Sequence, residues 1–412
     1  DVYDTKIISN AGAGVYCDGY PSHPAVTMTD CTVSNNGGDG LYGGDNVILR
    51  SVITDNGQAG IYGADNVAWS VITDNDGDGI YSDNPAAIAN NIISRNKDHG
   101  IYSSAYSPSG SVDVTITNNW IYDNGTDGTG DGIYIEIAYP NPAVIRNNTI
   151  ADNNDYGIRA GASTYADVTN CILWDNGLGQ LNNCSATYSC IDIDPVSGAH
   201  NINSDPCFAD DANNFHIKPE SRCIDNANSA LVTDPNELDI DGECRIMDGD
   251  FNGTDIVDMG ADELYWPKCD YDRSEIVNFV DFTFFANAWQ TTNTTIDLDD
   301  DNFVDINDLI LFCSDWLWVA PWSARYEQMM MAGGDGEGMV MLAESTVPAV
   351  PLPALSYSST ATTEAEPLST ERIKELIDWT ERLLETDDEL KELVGEAEIQ
   401  KILDSLKAEL EN

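Results

Sequence analysis

One asparagine returns along the first half of this chain at intervals of 19 to 29 residues: Asn10, Asn36, Asn56, Asn75, Asn96, Asn124, Asn153 and Asn176. Three positions before each stands an aliphatic residue (Ile7, Val33, Ile53, Ile72, Ile93, Ile121, Ile150, Leu173). Five before stands a small or amide residue (Thr5, Cys31, Ser51, Ser70, Asn91, Asn119, Asn148, Cys171). Gly-aliphatic-Tyr follows in Gly40-Leu41-Tyr42, Gly60-Ile61-Tyr62, Gly79-Ile80-Tyr81, Gly100-Ile101-Tyr102 and Gly132-Ile133-Tyr134. Apolar residues alternate within short β-rich runs, which is strand periodicity. A unit of about 20 residues cannot close a core alone, so units must stack. Asparagines at one register then lie about 4.8 Å apart and pass amide hydrogen bonds from coil to coil. The glycine is expected to supply a turn with positive φ.

The chain carries 71 acids against 18 Lys and Arg, a formal net charge of −53. That argues against nucleic acid and against an anionic membrane surface, both of which need a basic footprint. No run of eighteen apolar residues is present, so no transmembrane segment is expected. No signal peptide stands at Asp1, which reads as a mature chain, a fragment, or export by another route. Ten cysteines without a CxxC and four His argue against a zinc ribbon or a thioredoxin-type site. The charge fits a secreted, extracellular setting that is calcium-rich or high in salt, in which cations screen self-repulsion.

The repeat over residues 1–190 resembles the right-handed parallel β-helix of secreted polysaccharide-active and surface proteins. The resemblance implies a mainly β solenoid, a fold that serves lyases, hydrolases, adhesins and scaffolds alike. Cys31 and Cys171 fall in the inward small-residue column and read as buried thiols. Cys184/Cys190 and Cys207/Cys223 are candidate disulfides of an exported protein. Residues 191–265 lose the repeat. Ser204-Asp205-Pro206-Cys207-Phe208, Ser221-Arg222-Cys223-Ile224-Asp225, Asp239-Ile240-Asp241-Gly242-Glu243-Cys244-Arg245 and Asp258-Met259-Gly260-Ala261-Asp262-Glu263 resemble the closing segment of bacterial surface β-helix proteins. That implies a C-terminal cap over the open edge, with Arg245 paired to Asp258 or Glu263. Asp248-x-Asp250-x-Asn252-Gly253 starts like an EF-type loop, but Ile256 and Met259 stand at later ligand positions.

The sharpest chemistry lies at residues 266–322. One loop offers Asp270, Asp272, Ser274, Ile276, Asn278 and Asp281. The other offers Asp297, Asp299, Asp301, Phe303, Asp305 and Asp308. Oxygens at positions 1, 3, 5, 9 and 12, with a backbone carbonyl at 7, suit Ca²⁺. An apolar helix ending in tryptophan follows each loop. The pair resembles the duplicated calcium-binding loop-helix of dockerins, which implies Ca²⁺-driven folding and either a cohesin-like partner or docking onto the chain's own cap. Position 6 holds Glu275 and Asn302 in place of glycine, and Cys269 and Cys313 are placed to clasp the halves. Residues 323–368, with a Met/Gly run and four prolines, read as a flexible linker. Residues 369–412 read as a helical hairpin with apolar stripes at Ile373, Leu376, Ile377, Leu383, Leu384 and at Ile399, Ile402, Leu403, Leu406, Leu410, a second candidate surface for a protein partner or self-association.

Stacking also sets candidate catalytic residues side by side. Just before the turn glycine the column reads Ala13, Asp39, Ala59, Asp78, His99, Asp131, Tyr156. A His between two carboxylates is expected to have a raised pKa and to act as acid or base, although a polar turn ladder is the plainer reading. Arg146, Arg159 and Lys97 are candidate bases by resemblance to β-helix lyases. Tyr42, Tyr62, Tyr81, Tyr102 and Tyr134 form an outward column, either stacked on sugar rings or packed on one another. Three functions follow: an extracellular scaffold or carbohydrate-binding protein of the cell surface, a polysaccharide lyase or glycoside hydrolase on an acidic or neutral glycan, or a self-assembling matrix protein. The sequon Asn124-Gly125-Thr126 is a candidate glycosylation site.

Overall fold

The computed structural model describes residues 1–323 except 18–25, 45, 64–65, 83–86, 107–113, 140–141, 163–165, 194–196 and 211. Beyond 323 it describes Leu403 and Lys407. Residues 1–265 belong to one compact unit, and Trp266–Met329 to a second.

The first unit is a right-handed parallel β-helix of three sheets. Strands from Val2–Tyr3 to Ser185–Thr187 build one sheet, those from Lys6–Ile8 to Cys190–Ile191 the second, and those from Val15–Tyr16 to Gly179–Asn182 the third. The pairings within them are parallel and keep register, as in Val71↔Val52 and Val71↔Ile92, except between Ile101–Tyr106 and Ile133–Tyr139, where register shifts between Ser103 and Ser104. The inward residues form one apolar core along the axis, with Ile48, Ile53, Ile61, Ile72, Ile80, Ile93, Ile101 and Ile121 all at 0% exposure. β-branched side chains stack on their own kind from coil to coil, which suits the pleated surface.

The asparagine column is a continuous buried ladder. Asn75 accepts from the Asn56 backbone N–H at 3.2 Å and from its Nδ2 at 3.0 Å. It donates to Asn96 Oδ1 at 2.9 Å, to Ile53 O at 3.2 Å and to Thr73 O at 3.0 Å. The pattern runs from Asn10 to Asn176, where the Gln180 side chain takes the last amide at 2.6 Å. A second ladder uses the small-residue column. Cys31 N donates to Ser51 Oγ, Ser51 N to Ser70 Oγ, Ser70 N to Asn91 Oδ1, and Asn91 N to Asn119 Oδ1. The glycines do another job than expected. Gly40, Gly60, Gly79, Gly100 and Gly132 do not have positive φ. A Cβ on Gly60 would lie 2.7 Å from Asn75 Nδ2 and 2.8 Å from Gly79 O, so glycine is required for close approach of the next coil. The left-handed positions belong to the residue before each ladder member: Asp55, Asp74, Asp123, Asp152 and Asp175 on one corner, and Asn90, Asn118, Asn147 and Asn170 on the other.

The segment after the coils covers less of the end and more of the flank than the expected cap. Cys190 bridges to Ile202, and Ser189 N donates to Asn201 Oδ1, so residues 199–202 form a last partial rung. From Phe208 on, the chain runs back along the solenoid. Asn90 and Asn118 give their amides to Leu238 O, Asn170 exchanges bonds with Asn228, and Trp120 and Tyr122 pack on Phe215. Arg245, fully buried, pairs with Glu263 Oε1 at 3.1 Å and reaches Asp258 through its carbonyl oxygen.

In the second unit, helix α1 (Phe279–Ala288) and helix α2 (Ile306–Ser314) pack around Phe282, Phe285, Leu309 and Phe312. Leu403 is buried in this same core. Apart from Ser323, Leu403 and Lys407, the expected linker and hairpin lie outside the described residues.

The structure joins none of the ten cysteines in a disulfide, the expected pairs Cys184/Cys190, Cys207/Cys223 and Cys269/Cys313 included. Cys184 points back to Ile158 O of the preceding coil, Cys207 to Asp205 O, and Cys269 to the Asp315 carboxylate.

The ladder predicts a position effect. Asn75→Ala strands the Asn56 backbone N–H and one Asn56 Nδ2–H, and takes a donor from Ile53 O, Thr73 O and Asn96 Oδ1, each unsatisfied group costing about 1–3 kcal/mol when buried. Asn10→Ala, at the exposed start, strands much less. Urea unfolding of the two variants is expected to show a loss of at least about 3 kcal/mol for the first and under about 1 kcal/mol for the second. Equal losses would contradict the ladder's role.

Candidate functional site

The turn column before the glycines comes together as the spacing requires, but its members face one another along the axis. Asp39 Oδ1 accepts from Ala59 N at 3.0 Å, Asp78 Oδ1 from His99 N at 3.0 Å, His99 Nδ1 from Asp131 N at 2.8 Å, and Asp131 Oδ1 from Tyr156 N at 3.0 Å. Each side chain thus caps the backbone N–H stacked on it. The expected rise in the His99 pKa is reversed: burial and then the Arg159 charge push it down to about 4. With Nδ1 accepting, the neutral ring carries its proton on Nε2. Burial raises Asp78 to about 7 and Asp131 to about 6.

The candidate cations separate. Arg159 pairs with Asp131 Oδ2 at 2.6 Å and lies 4.3 Å over the Tyr134 ring. Arg146 sits on another sheet, where its Nη1 donates to Leu231 O under the flanking segment. Lys97 pairs with Asp76 at 2.6 Å near the surface. Asn124 is 1% exposed and its amide donates to Ile93 O and Asn153 Oδ1, which removes it as a glycosylation acceptor in the folded chain.

On the third sheet Tyr16, Tyr42, Tyr62, Tyr81 and Tyr102 stack face to face, with centroids 4.6–5.1 Å apart and planes within 13°. Tyr134 turns edge-on to Tyr102 at 82°. The ring faces from Tyr42 to Tyr81 are covered by their neighbours, these rings are partly exposed, and the Tyr102 hydroxyl donates to Glu136 Oε2. Tyr16 joins through Gly14-Val15-Tyr16, a signal the sequence carried. Beside the column lies a shallow cleft of about 280 Å³ lined by Tyr62, Tyr81, Asp39, Gln58, Asp78 and Asp98.

In the second unit each acidic loop closes on its own carboxylates. Oxygens of Asp270, Asp272 and Asp281 lie within 4.8 Å of one another, as do those of Asp297, Asp299 and Asp308. The position-9 residues Asn278 and Asp305 are the N-caps of α1 and α2, and the position-12 acids Asp281 and Asp308 complete the capping boxes. Asp281 also holds Tyr271 N, and Asp308 holds Leu298 N, so these acids tie loop start to helix start. Glu275 and Asn302 adopt the glycine-like conformation themselves, with φ of 65° and 74°. Asp301 accepts from Phe303 N at 2.7 Å, while Ser274 Oγ and Asn278 Nδ2 both face Ile276 O at 3.3 Å. Asp297 is 5% exposed and its Oδ1 has no hydrogen-bond partner. An all-oxygen set with a buried, unpartnered carboxylate oxygen fits a hard divalent cation.

Two polar clusters bring together residues that the sequence reading did not join, because they are far apart in the chain, although Asp248 and Asp250 were noted there as the start of an EF-type loop. Asp225 joins Asp248 and Asp250, taking Asp250 N at 2.8 Å. His216 meets Asp262 at 2.7 Å and Asp241 at 3.6 Å beneath Trp120. Burial alone would depress His216, but Asp262 and Asp241 overcome it and raise it to about 8.

The family model of the right-handed β-helix region matches residues 2–173 and 67–213, just over half of the 412-residue chain. No curated protein matches the sequence. Among solved structures, a crystal structure of pectate lyase Pel9A is 16% identical, covers 63% of this chain and 88% of its own, and superposes with a TM-score of 0.38. The A-module of Azotobacter vinelandii mannuronan C-5 epimerase AlgE4 is 17% identical, covers 45% of this chain and 66% of its own, with a TM-score of 0.25.

A histidine whose folded pKa is raised from 6.5 to about 8 contributes stability that is full below 6.5 and lost as pH rises through 8. The shift corresponds to about 2 kcal/mol. Urea midpoints of the protein are therefore expected to fall between pH 6.5 and 8.5, and His216→Gln to flatten that interval. An unchanged slope in the variant would remove His216 from the account.

Proposed function

We propose, since the chain belongs to the right-handed β-helix region family, that it is a secreted, calcium-stabilised β-helix protein of the cell surface that binds polysaccharide without cleaving it. The observation that carries the non-catalytic reading is the turn column. Asp39, Asp78, His99 and Asp131 each hold the backbone of the next coil, and Arg159 holds Asp131. A general acid and base must be free to meet substrate, and none of these groups converges with a second free one over the cleft.

The binding face is the third sheet. Tyrosine edges and hydroxyls beside Gln58, Asp78 and Asp98 offer donors and acceptors to sugar hydroxyls along the axis. Charge selects the glycan class. A chain of net charge −53, with a second acidic groove of about 570 Å³ at Asp123, Asp152, Asp175 and Asp210, repels polyanions, so neutral polysaccharides are favoured. Calcium in the second unit is supported by the converging loop carboxylates and the unpartnered oxygen of Asp297. There Asp270, Asp272, Ser274, Asn278 and Asp281, and in the second loop Asp297, Asp299, Asp301, Asp305 and Asp308, would hold Ca²⁺ with the carbonyls of Ile276 and Phe303. Hydrolysis is the second reading, and the raised pKa of Asp78 beside the cleft is what favours it.

Two outcomes are expected. On affinity gels of neutral polysaccharides the protein is retained, the double variant Tyr62→Ala and Tyr81→Ala is retained several-fold less, and no reducing or unsaturated ends are released. Release of ends that depends on Asp78 would install the hydrolytic reading instead. Calcium titration, read from the Trp266 indole that donates to Asp270 at 3.0 Å, is expected to show two ions bound, and Asp308→Asn one. No binding at millimolar calcium would refute the calcium module.

A further inference from the structure

The second unit is small for the core it holds. Helices α1 and α2 run for ten and nine residues, and helices this short bury little by themselves. The core gathers Phe282 and Phe285 of α1 with Leu309 and Phe312 of α2, and Leu403 belongs to the same cluster at 4% exposure. Leu403 stands 80 positions beyond Ser323 (403 − 323), so a distant part of the chain supplies this side chain. Leu403 and Lys407 are both helical and one turn apart, the first buried and the second exposed. That contrast marks a helix with one face packed. The sequence around them carries the matching pattern. Ile399, Ile402, Leu403, Leu406 and Leu410 fall within about 100° of one another at 3.6 residues per turn, and Lys407 falls outside that stripe. A segment of this length is marginal as a helix in water and needs a surface to pack on.

We propose that residues 396–412 dock in cis as a third helix of the second unit, their apolar stripe closing the core of α1 and α2, so that the protein partner of this unit is the chain's own C-terminal segment. The contact has to be apolar. The segment carries Glu396, Glu398, Asp404, Glu409 and Glu411 against Lys401 and Lys407, and the unit it meets carries two acidic loops. Charge therefore opposes the docking, and burial of the stripe overcomes it. Cations held in the loops would weaken that repulsion, the one part of the proposal that rests on the calcium reading. Tethering favours this occupant over a separate protein. A segment joined to its site by the same chain meets it at an effective concentration on the order of millimolar. A second copy, or a partner that uses the same apolar surface, has to displace it first.

Hydrogen exchange of the full chain, read by mass on peptides from 279–288, 306–314 and 396–412 with calcium and with chelator, tests the docking. In the unmodified chain residues 399–410 are expected to be protected, and equally so at low and high protein concentration. Leu403→Asp is expected to speed exchange there and in α1 and α2 by roughly ten- to hundred-fold, the worth of one buried leucine. Lys407→Gln, on the exposed side of the same helix, is expected to change neither. The unmodified chain decides the matter even where the variant unfolds the unit. Residues 399–410 found unprotected would overturn the proposal, and so would protection that grows with protein concentration, which marks docking between copies. Unchanged exchange in α1 and α2 of Leu403→Asp would place the segment elsewhere and overturn it too. A chelator without effect on any of these peptides counts against the calcium reading alone, because Leu403→Asp still separates the docked chain from the undocked one.

Discussion

An amide side chain sealed from water has to find both a donor and an acceptor, and in this chain it finds them in the coils before and after its own. That requirement fixes the β-helix. Asn56, Asn75, Asn96 and Asn124 each take two hydrogen bonds from the coil before, and each donates its amide both to the next ladder member in the coil after and to a carbonyl of the coil before. A coil that slipped by one residue would bury an unpaired amide and turn its isoleucines outward. The glycine column exists because the amide needs room: only a missing Cβ lets Asn75 Nδ2 approach Gly60.

Once register is pinned, everything else in the repeat stacks on its like. Tyrosine meets tyrosine, and the acids of the turn column meet the next backbone N–H. The polar groups that look most like chemistry in one dimension are therefore engaged in three. What remains for function is the outer surface: hydroxyl-bearing edges along one sheet, acidic corners, and carboxylate loops in the second unit. Acids held this close repel, and cations relieve that repulsion. The same strain in the flank is met by a histidine: His216 between Asp262 and Asp241.

The repeat was legible because a period of one coil maps a column of sequence onto a row of space. The Asn, Ile, Gly and Tyr columns could all be aligned by eye, and the calcium-type loops are local enough to read from spacing. Three things were not legible. The direction of the His99 shift depends on its burial and then on the Arg159 charge, neither of which the repeat alone shows. The role of the glycines is a matter of clearance to a different coil, which sequence shows only as small size. The meeting of Asp225 with Asp248 and Asp250 depends on a flank that folds back beside the coils, where no period applies. Arg146, a candidate base by resemblance to β-helix lyases, belongs to a different sheet from Arg159.

Whether the stacked polar column is structural or chemical turns on one ring. Nitrogen-15 NMR of His99 across pH 4 to 8 reads both its tautomer and its charge. The account predicts a neutral, Nε2-protonated ring down to about pH 5 and a midpoint near 4. A ring that titrates above 6.5, charged between Asp78 and Asp131, would contradict it and make the column a proton-transfer site.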